Sequence, residues 1–208
     1  MQDIIDLLLR AFDLGGPVVM VLLAVSVLAM TTALYKLWQF LKTGVGRHTE
    51  LEAALDAWDA GHRADALHHL AGADSYLAPV VEMSFAASHA DATRLEAEAE
   101  ARFAVLERGL RLLDGIAQIS PLLGLFGTVL GMIEAFQAMQ GAGAQVDPSM
   151  LAGGIWVALL TTAVGLAVAM PTSIVHSWFE ARLDADRVLA ERAISTALHP
   201  LAARRVAA

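Results

Sequence analysis

The chain contains no cysteine, which excludes disulfides and thiolate chemistry without fixing a compartment. Charge is scarce. Of 208 residues, 17% are Asp, Glu, Lys or Arg and 57% are hydrophobic, with a mean hydropathy of +0.56. That is too apolar for an ordinary soluble domain of this length. A phosphate-binding glycine loop, a nucleophile elbow and a basic nucleic-acid patch are all missing. No nucleophile, base and orienting group can be assembled from the apolar segments, which argues against an enzyme. Nor is there an internal repeat of roughly 20 to 50 residues or a low-complexity linker.

What is present is concentrated in three runs without a single Asp, Glu, Lys or Arg: Pro17 to Tyr35, Gly115 to Ile133 and Pro148 to Phe179. Each suffices to cross a hydrocarbon core, which takes about 20 helical residues. The first run competes with a cleaved signal peptide. Its leader carries Asp3, Asp6, Arg10 and Asp13 and is net acidic where a signal peptide is basic, so a retained helix is expected. Lys36, Lys42 and Arg47 follow the first run, Arg102, Arg108 and Arg111 precede the second, and Arg182, Arg187 and Arg192 follow the third. The positive-inside rule makes those ends cytoplasmic, with the N-terminus outside and the C-terminus inside. Net charge, −8, does not oppose this, because topology follows Lys and Arg near span ends.

The expected class is all-α and integral to the lipid bilayer: three transmembrane helices with long cytoplasmic helical extensions. The expected division is an outer leader over 1–16, transmembrane helix 1 over 17–41 and a cytoplasmic helical region over 42–114. Transmembrane helix 2 over 115–140, an outer loop over 141–149, transmembrane helix 3 over 150–179 and a cytoplasmic C-terminal helix and tail over 180–208 complete it. Within the cytoplasmic region, breaks are expected at Gly61 and Gly72. Leu95, Ala99, Phe103, Leu106, Leu110 and Leu113 recur at steps of three and four and predict one long helix running unbroken into the second span. Such apolar stripes need covering neighbours, so an oligomer is expected.

The second and third runs differ from the first in their small residues. Gly124, Gly127 and Gly131 bracket Thr128, and Gly127 to Gly131 is a GxxxG pair. Gly154, Ala158, Thr161, Thr162, Gly165 and Ala169 recur along the third run. This spacing lets membrane helices approach closely. A membrane threonine can bond its own i−4 carbonyl or serve packing, but Thr128 and Thr162 sit midway along two small-residue faces, where hydroxyls from two helices could meet. Glu134 lies about 9 Å beyond Thr128 along the helix and is either functional or solvated at the outer interface. His176 is either a proton relay or an interfacial histidine. Pro121 and Pro171 are expected to kink their helices. Trp38, Trp156 and Trp178 fit interfacial belts. His62, Asp65, His68 and His69 lack further ligands at a strong spacing, so no metal site and no cofactor are expected.

SPLLGLFGTVLGMIEAF (Ser120 to Phe136) and ALLTTAVGLAVAMP (Ala158 to Pro171) resemble the second and third spans of the ExbB/TolQ/MotA proton-channel family, ExbB and TolQ more than the four-span MotA. The resemblance implies a homopentamer, a bundle around a central pore lined by the second and third helices. It also implies a single-span ExbD- or TolR-like partner with an intramembrane aspartate, and a TonB-like protein energised at the outer membrane. The location implied is the bacterial inner membrane, the outer leader and loop being periplasmic. On this likeness Thr128 and Thr162 match the pore threonines and face the partner acid. Gly124, Gly127, Gly131, Thr161, Gly165 and Pro171 serve helix packing, with Glu134 and His176 as ionisable groups at the pore mouths. Where ExbB and TolQ often carry a glutamate at the start of the third-span motif, this chain has Val157. Alternatives from the residues themselves are a membrane scaffold and a self-contained cation channel with Glu134 as a selectivity ring.

Overall fold

The computed structural model describes residues 2–88, 91–142 and 148–202, which form seven helices and no strand. They are α1 (Gln2–Thr43), α2 (Thr49–Asp59), α3 (Arg63–Gly72), α4 (Ala78–Ala86), α5 (Ala92–Glu107), α6 (Leu110–Ala142) and α7 (Pro148–Leu198). Three helical stretches are long and apolar enough to cross a membrane: Gly15–Thr43, Leu110–Gly141 and Leu151–Leu198. The protein is therefore an all-α membrane protein. Most of the loop expected over 141–149 and the end of the tail lie outside the described residues.

The chain divides into two compact units. One comprises residues 1–34 and 111–176; the other comprises 35–110 and 177–208. The first holds the apolar parts of α1, α6 and α7. Its only non-helical backbone inside a helix described here is at Gly16 (φ 63, ψ −162), just before Pro17. Proline disfavours helical geometry in its predecessor, and glycine takes a positive φ without a Cβ clash. Pro121 and Pro171, by contrast, sit inside α6 and α7 with helix assigned on both sides of each. A non-helical residue thus marks the first of these prolines, while helix continues through the other two.

The second unit is an amphipathic assembly. Leu51, Ala54, Leu55 and Trp58 of α2 are buried, as are Ala66 and Leu70 of α3. The turn between them uses Gly61 at φ 89, as expected of a glycine break. Trp58 stacks on Phe85 at 3.9 Å between ring centroids, and its indole N–H donates to the Ala197 carbonyl at 3.2 Å. Leu95, Ala99, Phe103 and Leu106 of α5 form a buried stripe.

The expectation of one unbroken helix into the second span fails at Arg108–Gly109. Arg108 leaves helical geometry (φ −56, ψ 124) and Gly109 takes φ 89, so α5 stops and α6 restarts at Leu110. The residues on both sides, Leu106 and Leu110, remain buried at 3% exposure each, which is why the stripe conceals the break. Lys36, 1% exposed, donates to the Leu106 carbonyl at 2.8 Å and to Gln39 Oε1 at 2.8 Å. It satisfies a backbone acceptor in the last turn of α5, where carbonyls lack helical partners.

Candidate functional site

In the apolar unit, α6 and α7 run antiparallel along a seam of small residues. A Cβ built on Gly124 would lie 3.0 Å from the Thr161 carbonyl oxygen and 3.0 Å from Thr162 Cα. One on Gly165 would lie 2.6 Å from the Ser120 carbonyl oxygen. Gly131 faces Ala158 and Gly154 faces Ala135 in the same register, and Gly127 faces the Thr161 side chain. Backbones approach here because nothing larger than hydrogen stands between them.

The two threonines converge on one acceptor. Thr161, 2% exposed, has its Oγ1 2.7 Å from the Ala158 carbonyl in its own helix and 3.2 Å from the Gly124 carbonyl. Thr162 donates to the same Gly124 oxygen at 3.1 Å from a partly buried position. Gly124 has no side chain, so its carbonyl is open to both hydroxyls, and a carbonyl oxygen has two lone pairs to offer. Thr128 donates to Leu125 O at 2.6 Å within α6. Each hydroxyl has a single proton, so the Thr128 and Thr162 protons are directed elsewhere and do not join the two side chains.

Of the remaining candidates, Glu134 is exposed on α6 and His176 is 9% exposed on α7. Pro171 is exposed on the rim of an apolar groove of about 190 Å³ that it shares with Ser26, Ala29, Met30, Ala167 and Thr172.

In the second unit the structure assembles a polar network that sequence spacing did not reveal. His48 Nε2 lies 2.7 Å from Asp186 Oδ1, and its Nδ1 lies 3.0 Å from Ser75 Oγ. Tyr76 donates its hydroxyl to Asp186 Oδ2 at 2.8 Å. Asp186 is 2% exposed. Burial, then the Asp186 charge and the hydrogen bond to it, push the Tyr76 hydroxyl well above the usual tyrosine range, against a smaller opposing influence of Arg187. Nearby on α7, Arg187 pairs with Glu107, with Glu100 at 3.4 Å and with Asp184 at 3.4 Å. The members lie up to 138 residues apart, and each read alone is a polar residue on an amphipathic segment. Asp186 at a position in phase with the buried Leu183 and Ala190 was the available signal.

His69 pairs with Glu50 at 2.9 Å on the surface. Among the described residues no group of three or more His, Asp or Glu is disposed to hold a metal ion.

Residues 73–191 match the model of the MotA/TolQ/ExbB proton channel family, more than half of the chain and all of the α6–α7 seam. The chain belongs to that family. It is 35% identical over 170 residues to the putative biopolymer transport protein ExbB-like 1 of Synechocystis, covering 78% of this chain and 66% of the relative. To the biopolymer transport protein exbB1 of Vibrio cholerae it is 54% identical over 63 residues, 30% of this chain and 28% of that one. To the Tol-Pal system protein TolQ of Haemophilus influenzae it is 41% identical over 80 residues, 38% and 35% respectively. The chain thus spans less than two thirds of the length of each of these relatives. The family is described as one of proton channels, and the relatives named for biopolymer transport and the Tol-Pal system fall within it.

Proposed function

We propose that this chain is an ExbB-like subunit of a proton-driven motor in an inner membrane. It works with a single-span ExbD-like partner to energise a TonB-like protein. The observation that carries the reading is the convergence of Thr161 and Thr162 on the Gly124 carbonyl, in a small-residue seam inside the segment that matches the family. In this reading the chain is a pentamer with α6 and α7 around a pore, the N-terminus and the loop before α7 are periplasmic, and the partner's helix enters with an intramembrane aspartate.

The chemistry follows from the inventory of one hydroxyl. With its proton on the Gly124 carbonyl, Thr162 Oγ1 keeps lone pairs for the O–H of a protonated carboxylic acid. When the acid gives up its proton to solvent and ionises, the Thr162 O–H turns from the carbonyl to the carboxylate, and Gly124 O keeps the helical N–H four residues on in α6 as its donor. Thr128 holds the corresponding place on α6. A proton crossing 100 mV releases about 2.3 kcal/mol, so a few protons bias a partner against several kcal/mol of resistance.

The test is Thr162→Val in the complex with the Asp-bearing partner, reconstituted in proteoliposomes. Valine keeps the volume and removes the hydroxyl. Native mass spectrometry should show the same assembly, while proton flux falls at least about tenfold, the worth of a hydrogen bond to a charged group. Unchanged flux in an intact assembly would refute the role. The TolQ match favours a second reading, a subunit of the Tol-Pal envelope system. Rescue of a strain lacking TolQ, without rescue of one lacking ExbB, would select it.

A further inference from the structure

Two groups stand out among the cationic residues of the second unit. Arg102, Arg187 and Arg192 are engaged by carboxylates, with Glu98, Glu100, Glu107, Asp184 and Asp56 as partners. Lys42, Arg47 and Arg182 are exposed and are oriented by other means. Lys42 Nζ lies 5.1 Å from the Trp38 ring centroid, and the Arg182 guanidinium lies 5.4 Å from the Trp178 ring centroid. Arg47 donates from Nη2 to the Leu41 carbonyl at 2.6 Å. A Cβ built on Gly46 would lie 2.8 Å from Arg182 Nη1, so the guanidinium of α7 rests on the turn that carries Arg47. The turn runs through Gly44 (φ 72) and Gly46 (φ 74), and this shape returns the chain against α7.

The buried network fixes this arrangement. His48, two residues after Gly46, is tied to Asp186, one helical turn after Arg182, at 2.7 Å. His48 is also tied to Ser75 at 3.0 Å, and Tyr76 anchors the other Asp186 oxygen. Arg47 and Arg182 are thus presented by a turn and a helix tied to each other, with Lys42 in the last turn of α1 just before that turn.

We propose that Lys42, Arg47 and Arg182 form a site for the phosphate headgroup of an anionic phospholipid. The two uncharged runs Pro17 to Tyr35 and Pro148 to Phe179 end just before the cluster, which places it where headgroups lie. Trp38 and Trp178, 57% and 45% exposed, flank it in the manner of interfacial aromatic anchors. Guanidinium forks suit phosphate oxygens, and the ring contacts of Lys42 and Arg182 orient those two cations without neutralising them. The site depends neither on proton conduction nor on which system the chain serves.

The test uses the full chain purified in detergent, with native mass spectrometry against equal amounts of phosphatidylglycerol and phosphatidylcholine. The wild type should retain phosphatidylglycerol over phosphatidylcholine by at least about tenfold. The triple variant Lys42→Gln, Arg47→Gln, Arg182→Gln should lose most of that preference, while Arg94→Gln, elsewhere in the unit, should keep it. Arg182→Lys, a milder change, should give an intermediate preference because it retains charge and loses the fork. Equal retention of the two lipids by the wild type, or an undiminished preference in either variant of the site, overturns the proposal. Displacement of the lipid by millimolar inorganic phosphate overturns the assignment to a membrane lipid.

Discussion

Gly165 and Gly124 face different obstacles, and the difference is measurable. A methyl group at Gly165 meets the Ser120 carbonyl oxygen at 2.6 Å, backbone that cannot rotate away. At Gly124 the nearest atoms are 3.0 Å off, and at Gly115 nothing lies within 4 Å. Thermal unfolding should therefore rank Gly165→Ala as the most destabilising, by about 1–3 kcal/mol as for overpacking, with Gly124→Ala milder. Gly115→Ala should be neutral or stabilising by about 0.5–1 kcal/mol through helix propensity. These positions were legible in the sequence because small residues at steps of three and four announce a close helix contact. The convergence of two hydroxyls on one carbonyl was not, since it depends on the register between helices. The Asp186 network was equally hidden, and it carries its own test. Tyr76 is held protonated in the folded chain by burial and by Asp186. Its raised folded value means that the stability it confers is full below about pH 10, the unfolded value, and is lost as pH rises above it. Tyr76→Phe should cost about 1–3 kcal/mol at neutral pH by removing a donor from buried Asp186. It should also flatten the alkaline loss of stability seen in the wild type by denaturant titration. An equally steep alkaline branch in the variant would assign that loss to other groups.

At the scale of the element, the break between α5 and α6 was invisible to periodicity because Leu106 and Leu110 remain in phase and buried on either side of it. What betrays it is Gly109, the residue able to adopt φ 89 without a Cβ penalty. A hydrophobic stripe reports which face is buried; it does not report that the backbone between two stripe positions is helical. Two substitutions separate the causes of the break. Gly109→Ala places a Cβ in the left-handed region and should destabilise by about 1–2 kcal/mol. Lys36→Met keeps the length of the side chain but leaves the Leu106 carbonyl without its donor, and should cost about 1–3 kcal/mol. Hydrogen exchange locates the effect: the last turn of α5 should exchange faster in Lys36→Met, while the first turn of α3 should not. Uniform acceleration across both helices would mean that Lys36 supports the unit as a whole and does not cap α5. The three apolar spans were the most legible elements, because uncharged runs of this length have few folded alternatives to a membrane helix.

For the whole molecule the governing fact is how much apolar surface a single chain leaves uncovered. On α6, Leu122, Leu125, Phe126 and Val129 are between 50% and 63% exposed, and on α7 Leu159, Met170 and Ile174 are between 59% and 71% exposed. Lipid tails satisfy such side chains at membrane depth, so this surface alone does not require a second copy. Val188, 66% exposed, and Val105, 50% exposed, belong instead to α7 and α5 in the charged unit, where Arg187, Glu100 and Glu107 form an ion-pair cluster. Exposed apolar side chains beside such ion pairs favour association with another protein surface. The proposed pentamer is thus expected to be held by the charged unit as well as by the spans. Val188→Glu should shift the assembly toward smaller species in native mass spectrometry, while Ile174→Leu, on a face that lipid tolerates, should leave copy number unchanged. A wild-type chain that stays monomeric in the presence of its Asp-bearing partner would overturn the pentamer, and the pore reading of Thr128 and Thr162 with it. An assembly unaffected by Val188→Glu would keep the pentamer and assign its cohesion to α6 and α7 alone.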